Sequence, residues 1–199
     1  GSLFIVFFLF SIFIVIYNNL YYMKSSYKSN IDFGDIIDVV CKSIKNKKLI
    51  VEFGILDGFS LSHLLDSSAS DTSCQVKAFD IFEDFVGNGA NYDSVVERFR
   101  GEGSRCEVAK ADFYKSVDLF ENGSIDILHI DIANDGDVYD FAFKEYARKV
   151  KSGGVMMLEG GGSERDEVEW MNKYNKRKIG TVLRDWVTKG SPGLIHVVE

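Results

Sequence analysis

Three short apolar runs in this sequence each lead into a carboxylate at the point where a strand would end. The carboxylates are those of Glu52, Asp80 and Asp112. In an open parallel sheet a ligand lies outside the carboxyl ends of the strands, so these side chains would face it together. Asp80 alone would be better explained as a helix cap or a solvated loop acid. Jointly the three acids suit a nucleoside that carries an amino-acid tail, because carboxylates accept hydrogen bonds from amino and hydroxyl groups.

The first run opens into a glycine-containing turn. Gly54 and Gly58 follow Glu52, and Ser60 comes just after them. Glycines permit a tight turn and a close approach of the backbone to a ligand, and the next helix would offer free N–H groups. The spacing G-x-x-x-G differs from the G-x-G-x-x-G fingerprint of dinucleotide sites, which argues against a pyrophosphate. Glu52 could instead accept a hydrogen bond from the amino group of an amino-acid moiety.

The second and third runs would supply the sugar and base contacts. Asp80 could accept both ribose hydroxyls of a nucleoside, with Ile81 beside it in the same segment. Asp112 and Phe113 could hold an adenine by a hydrogen bond and an apolar contact. An N-cap role is the ordinary alternative for Asp112.

Two further acids follow the fourth and fifth apolar runs. Asp131 ends the fourth run and Glu159 ends the fifth. Asp131 is our first candidate for a general base or a substrate-orienting group, and Glu159 is the second. The alternative for Asp131 is a structural loop acid, and that for Glu159 is an acid flanking a helix. His129 lies inside the apolar fourth run, which indicates a hydrogen-bonded core histidine rather than a catalyst.

The elements that must position these residues alternate between strand and helix. Five strands are predicted over residues 48–53, 75–80, 106–111, 125–131 and 155–159. Helices are predicted over residues 37–44, 61–65, 94–100, 113–121, 138–150 and 164–174. Residues 151–154 are predicted to form a turn before the fifth strand.

The C-terminal part of the sequence predicts how the sheet closes. Two last strands, near residues 181–187 and 194–198, flank a turn that is too short for a parallel crossover. The sequence therefore predicts an α/β fold with a Rossmann-like, doubly wound sheet of seven strands. That sheet would be mostly parallel and would end in a C-terminal antiparallel hairpin.

Composition excludes several classes of protein. The 199 residues fit one domain, and a 46% hydrophobic and 27% charged content is typical of a globular protein. A net charge of −7 argues against a nucleic-acid partner, which needs a basic surface. Three widely spaced cysteines form no C-x-x-C pair. We therefore expect neither a disulfide framework nor a zinc site, and a cytoplasmic location.

The first thirty residues are far more apolar than the rest. Residues 3–17 hold one polar residue, Ser11, before Tyr17, and a bilayer-spanning helix takes about 20 apolar residues. We expect residues 1–30 to form a hydrophobic segment apart from a domain over residues 31–199. Two roles stay open for it. It could be a membrane anchor through residues 3–23, or an element that packs on the domain or on a second copy in a homodimer.

Residues 48–160 resemble the class I S-adenosylmethionine-dependent methyltransferases. The resemblance is greatest to small-molecule O-methyltransferases of the macrocin type. The segments that carry it are Glu52–Gly54 with Gly58–Ser60, Phe79–Glu83, Ala111–Phe113, Leu128–Asp131 and Ser152–Val155. The resemblance implies a methyltransferase domain with S-adenosylmethionine as its cofactor. It also implies a small-molecule acceptor, with a hydroxyl oxygen as the expected methylated atom.

The sequence departs from that family where a metal would bind. Macrocin-type enzymes are expected to follow the fifth strand with paired aspartates, whereas glycines follow Glu159 here. Asp131, Asp135 and Glu159 could supply part of a divalent-metal site, but the pair is missing, so a metal is not favoured and no metal ligand is assigned. Two other functions stay open: a nicotinamide-dependent oxidoreductase, and a non-catalytic interaction module with this fold.

Overall fold

The centre of the protein is a parallel β-sheet. The computed structural model describes residues 4–7, 13–16, 20–23, 33–86, 88–161 and 163–188. Its strands are β1 (Phe4–Phe7), β2 (Phe13–Ile16), β3 (Leu20–Met23), β4 (Leu49–Phe53), β5 (Gln75–Asp80), β6 (Cys106–Lys110), β7 (Ile125–Ile130) and β8 (Val150–Leu158). The order across the main sheet is β1-β8-β7-β4-β5-β6, and all its pairs are parallel.

Helices cover both faces of this sheet. They are α1 (Phe33–Ser43), α2 (Phe59–Ser67), α3 (Tyr92–Phe99), α4 (Gly136–Phe141), α5 (Ser163–Asp166), α6 (Glu169–Lys173) and α7 (Ile179–Thr188). Helix α4 continues as a π-helical turn over Ala142–Tyr146. Short 3-10 turns cover Phe82–Asp84, Arg100–Arg105, Phe113–Lys115 and Val117–Leu119.

The sheet has a core on each face because successive side chains of a strand point to opposite sides. Ile50 and Ile127 belong to the core that includes buried residues of α1, α2 and α3. Val51 and Leu128 belong to the core that includes buried residues of α4 and α7. Every residue of β7 is buried, as expected for a parallel strand covered on both faces. The described strands therefore confirm a doubly wound α/β fold with five parallel strands, β4 to β8.

The predicted strand over residues 181–187 is wrong. These residues belong to α7, whose buried Ile179 and Val182 lie on the core side. The second predicted strand, over residues 194–198, lies outside the described residues. Within the described part of the chain the main sheet has six strands, and a C-terminal antiparallel hairpin is not among its elements.

Four connecting segments also differ from their predictions. Residues 113–121 form two 3-10 turns instead of one helix. The helix predicted over 138–150 starts at Gly136 and changes to π geometry from Ala142. The helix predicted over 164–174 is divided into α5 and α6. The turn predicted over 151–154 belongs to β8, and the register between β7 and β8 shifts at that point.

The N-terminal segment contributes strands where it is described. β1 pairs in parallel with β8, and β2 pairs with β3 in a separate antiparallel sheet. The division of the chain at residue 30, and the choice between an anchor and a packing element for residues 1–30, stay predictions. Among the described residues, no helix combines the length and the apolar character that crossing a membrane requires.

Candidate active site

The turn after β4 passes very close to the end of β7, and only glycine fits there. Gly54 has a φ of 91°, and a Cβ at this position would lie 1.9 Å from the carbonyl oxygen of Asp131. The Gly54 N–H donates to the carbonyl of Phe79 at 2.8 Å. This turn therefore joins the carboxyl ends of β4, β5 and β7.

Gly58 places the start of α2 beside this turn. Its φ is 92°, and a Cβ would lie 2.4 Å from the Phe99 ring. Ser60, in the first turn of α2, is buried, and its hydroxyl donates to Glu52 Oε1 at 2.6 Å. Two of the predicted site residues, Glu52 and Ser60, are thus in direct contact.

Asp80 accepts hydrogen bonds from the backbone of two turns, the one that follows β4 and the one that follows β5. Its Oδ2 accepts from the N–H groups of Ile55 at 2.7 Å and Leu56 at 3.2 Å. Its Oδ1 accepts from the Phe82 N–H at 2.7 Å and from the Asn88 side-chain amide at 3.2 Å. Leu56 and Phe82 have φ values of 49° and 48°, which are unfavourable for residues with a Cβ. Asp80 thereby stabilises two strained turns, and a ribose would have to share or replace these bonds.

The base-side residues lie at the end of β6. Asp112 Oδ1 accepts from the Tyr114 N–H at 2.9 Å, so Asp112 caps the following 3-10 turn. Its Oδ2 pairs with Lys115 Nζ at 3.1 Å. The Phe113 ring is buried in the core and stacks on Tyr146, with the ring centroids 4.9 Å apart. An adenine contact by the Phe113 ring stays a prediction.

A chain of three side chains links β4, β7 and β8. Glu52 and His129 are register partners in adjacent strands, and both are fully buried. His129 Nδ1 lies 2.9 Å from Glu52 Oε1, and His129 Nε2 lies 3.4 Å from Glu159 Oε1. Burial alone would lower the pKa of His129, but hydrogen bonds to Glu159 and Glu52 outweigh it and raise this pKa to about 10. The ring is therefore an imidazolium whose two N–H groups donate to Glu52 Oε1 and Glu159 Oε1.

Glu159 can exchange a proton near neutral pH. Its side chain keeps 18% exposure, whereas those of Glu52 and His129 keep none. Burial raises the pKa of Glu159 to about 7, against the lowering effect of the His129 hydrogen bond. A carboxyl group with such a pKa suits general acid–base chemistry.

Asp131, the first candidate for a base, follows β7 at the same edge. Its N–H donates to the Phe53 carbonyl at 2.8 Å, and its side chain is open to solvent yet crowded by protein atoms. This crowding raises the pKa of Asp131, although the charges of His129 and Arg165 oppose the shift. Asp131 thus combines access to a ligand with a basicity above that of an ordinary aspartate.

Sequence analysis did not single out Asn134, whose side chain links the ends of β7 and β8 by hydrogen bonds. Its buried amide donates to the Ile130 carbonyl at 3.0 Å and to the Glu159 carbonyl at 2.8 Å. Arg165 Nε donates to the Asn134 carbonyl at 3.1 Å, and the guanidinium lies 4.9 Å from the centroid of the Trp170 ring. The sequence signal for Asn134 was weak, because an asparagine after a strand usually indicates only a turn.

Two buried oxygens at this edge have no hydrogen-bond partner among the described residues. They are Glu52 Oε2 and Asn134 Oδ1. A buried polar atom without a partner is costly, and such exceptions in a folded protein call for a specific explanation. The edge can therefore accept hydrogen bonds from a ligand that brings donors, and an ammonium group is a suitable one for Glu52.

Asp135, one of the acids considered for a metal, has a different role. It caps α4 by accepting from the N–H groups of Asp137 and Val138, and its Oδ2 pairs with Lys176 at 2.9 Å. In the described part of the chain, no three or more His, Cys, Asp or Glu side chains are grouped so that they could hold a metal ion.

The strand order brings most of the predicted site together. Asp80, Glu52, Asp131 and Glu159 lie at the carboxyl ends of the adjacent strands β5, β4, β7 and β8, in that order, and Asp112 lies at the β6 end of the same edge. The sheet reverses its order at β4, where ligands of doubly wound proteins bind. The fold and this edge thus define a doubly wound α/β domain with its candidate site at the carboxyl ends of the parallel strands.

Comparison with known proteins assigns the family. A family model described as a methyltransferase domain matches residues 51–159, which is more than half of the chain. The chain belongs to this family. No curated protein sequence matches it.

Solved structures share the fold at low sequence identity. An O-methyltransferase from Bacillus cereus in complex with SAH has a TM-score of 0.57 and 16% identity, covering 82% of this chain and 72% of its own. A SAM-dependent O-methyltransferase from Thermotoga maritima has a TM-score of 0.51 and 15% identity, covering 80% and 52%. A Corynebacterium glutamicum protein has a TM-score of 0.52 and 12% identity, covering 63% and 56%. The chain spans less than two thirds of the length of the latter two proteins.

Proposed function

We propose that this protein transfers a methyl group from S-adenosylmethionine to a hydroxyl oxygen of a small molecule. One observation carries the proposal: the buried Glu52 carboxylate, beside the Gly54 turn, keeps one oxygen without a hydrogen-bond partner. The family match supports methyl transfer, and the SAH bound to the Bacillus cereus O-methyltransferase supports the cofactor.

The residues at the strand ends fit this cofactor. Glu52 Oε2 would accept from the cofactor ammonium, while Ser60 and His129 hold the other oxygen of Glu52 in place. Asp80 would meet the ribose at the end of β5. Asp112 would meet the base at the end of β6. When bound, S-adenosylmethionine supplies a methyl group attached to a positively charged sulfur.

Asp131 and Glu159 would act on the acceptor. An acceptor hydroxyl becomes a better nucleophile when a positioned base removes its proton, and most of the remaining rate gain comes from its orientation. Asp131 is open to solvent at the end of β7, so it can reach an acceptor. Glu159 has a pKa near neutrality and is held by His129, so it is the second candidate for the base.

Calorimetric titration with S-adenosylmethionine, S-adenosylhomocysteine and NAD tests the proposal. We expect the two sulfur compounds to bind and NAD to give no heat. Binding of NAD alone would instead favour an oxidoreductase, and binding of none of the three would favour an interaction module.

The acceptor class needs a separate assay. The assay measures transfer of tritium from methyl-labelled S-adenosylmethionine to catechols, glycosides and hydroxylated polyketides. Each compound is compared with its O-methylated analogue, which shows whether a free hydroxyl is required. Equal labelling of both members of each pair would contradict O-methylation. Addition of EDTA and then magnesium to the same assay measures metal dependence.

A further inference from the structure

We propose that His129 couples the cofactor site to Glu159, so that binding of the cofactor ammonium at Glu52 releases a proton from Glu159. The inference rests on the proposed function. It makes His129 a positioning residue that links the methyl-donor side of the site to the acceptor side.

The coupling has a direct physical route. Glu52 Oε1 contacts His129 Nδ1 at 2.9 Å, and His129 Nε2 contacts Glu159 Oε1 at 3.4 Å. Glu52 and His129 are fully buried, so water does not screen their interaction, and Glu159, with 18% exposure, is screened only in part. A charge placed at Glu52 therefore changes the electrostatic potential at Glu159 much more than a surface charge would.

The charges of these three groups do not balance in the free protein. With Glu159 ionised, two carboxylates share one imidazolium and leave a net charge of −1 in a buried cluster. A net buried charge is unfavourable, so the free cluster favours the protonated form of Glu159. The raised pKa of Glu159 agrees with this charge count.

A cofactor ammonium would restore the balance. The unpartnered Oε2 of Glu52 is the acceptor available to it. The tail is a zwitterion, so the ammonium would act on Glu159 because it lies at Glu52, nearer the cluster than the tail carboxylate. The proton of Glu159 would then leave to solvent, with no other covalent change. Glu159 would become able to accept a proton only after the methyl donor is in place.

The other charged groups that face Glu159 do not replace this route. Asp131, after β7, favours the protonated form of Glu159. Tyr139 of α4 donates its hydroxyl to the Glu159 carbonyl at 2.9 Å, and burial raises its pKa well above the usual value, so it stays neutral. From α5, Arg165 and Asp166 act on Tyr139 with opposite signs. None of these groups contacts Glu52, where the ammonium would bind.

Calorimetry measures the proton directly. S-adenosylhomocysteine is titrated into the full chain at pH 6.5, 7.0 and 7.5, each in three buffers of different ionisation enthalpy. The slope of the binding enthalpy against the buffer ionisation enthalpy gives the number of protons released. We expect release of roughly half a proton at pH 7.0. 5′-Methylthioadenosine, which lacks the amino-acid tail, should bind with no release.

Variants assign the proton to its residue. Glu159→Gln should bind S-adenosylhomocysteine with no proton release, while the exposed Glu169→Gln should release as much as the unaltered protein. His129→Gln should bind with the release strongly reduced. If His129→Gln does not fold, the comparison of the two nucleosides on the unaltered protein still decides.

The outcomes separate this inference from the proposed function. Binding of S-adenosylhomocysteine without proton release, or with the same release in Glu159→Gln, overturns the coupling and leaves the proposed function standing. Equal release on binding of 5′-methylthioadenosine also overturns it. Failure of both nucleosides to bind overturns the proposed function and the coupling with it.

Discussion

The two oxygens of Glu52 have different surroundings, and this difference supports its proposed role in cofactor binding. Oε1 accepts from Ser60 and His129, whereas Oε2 has no partner among the described residues. A carboxylate that was only structural would be expected to satisfy both oxygens within the protein. The free oxygen is the part of Glu52 that a ligand can use.

Glu52→Gln tests that role without removing the internal hydrogen bonds. Its amide oxygen can still accept from Ser60 and His129, but its NH₂ would face the cofactor ammonium. Loss of a buried charged partner costs about 2–5 kcal/mol. We therefore expect the Kd for S-adenosylhomocysteine to rise about 30-fold or more and that for 5′-methylthioadenosine to change less than about threefold. Calorimetry measures both constants. The exposed Glu121→Gln is the control, and an equal loss for both ligands would contradict the role.

Substitution of Gly58 tests whether the start of α2 tolerates a Cβ atom at this position. In Gly58→Ala the Cβ would collide with the Phe99 ring, at a φ that disfavours alanine. We expect a loss of about 2–3 kcal/mol in the free energy of unfolding, measured by urea denaturation. Gly101→Ala is the matched control, because a Cβ there meets open space. Equal stability of the two variants would show that the turn can relax around the added methyl group.

At the scale of elements, the sequence predicted strands β4 to β7 and helices α2 and α3 near their observed bounds, whereas β8 was predicted only from residue 155 and begins at Val150. These elements have clear apolar runs and glycine turns, so the local sequence is enough to predict their secondary structure. Helix α7 was predicted as a strand because Thr181, Val182 and Trp186 favour strands. Its helical form depends on Asp166, whose carboxylate accepts from the N–H groups of Ile179 and Gly180. That cap lies thirteen residues away, and no local pattern reveals it.

In the candidate site, too, the sequence predicted what local patterns decide and not what distant contacts decide. The sequence located the acids at the strand ends, since each follows an apolar run. It also predicted that His129 is a hydrogen-bonded core residue, and the structure confirms this. The partners of His129 could not be predicted, because they depend on which strands are adjacent and in which register.

The cap by Asp166 gives a test at this scale. Asp166→Ala leaves two N–H groups at the start of α7 without a partner, and we expect a loss of about 1–2 kcal/mol in the free energy of unfolding. Affinity for S-adenosylhomocysteine should stay unchanged, because neither Asp166 nor α7 contributes a side chain to the proposed cofactor contacts. Urea denaturation and calorimetry measure the two quantities. The exposed Asp185→Ala in the same helix should lose far less stability, and a similar loss would contradict the capping role.

At the scale of the whole molecule, one buried histidine should govern stability above neutral pH. The pKa of His129 rises from 6.5 to about 10 on folding, so the folded protein binds this proton more tightly than the unfolded chain does. The stability that the ion cluster provides is therefore complete below about pH 6.5 and is lost as the pH rises through 10. Glu159 acts in the same direction between its usual pKa of 4.5 and about 7.

The free energy of unfolding should fall by about 3 kcal/mol between pH 6.5 and 9. Urea denaturation at several pH values in this window measures the slope. The slope should persist in His63→Gln, because His63 lies on α2 and contacts Asp38 rather than the buried cluster. A flat profile for the unaltered protein would show that the imidazolium is not retained in the fold.

The position of β1 has a consequence for how the chain is made. Phe4 pairs with Val155 and Phe7 with Leu158, so β1 leaves the ribosome long before its partner strand exists. Such a distant contact can form only late, because the closure of a very long loop precedes it. During synthesis β1 therefore stays without its native neighbour, and its apolar residues are open to aggregation, or to binding by a chaperone, until β8 has been made.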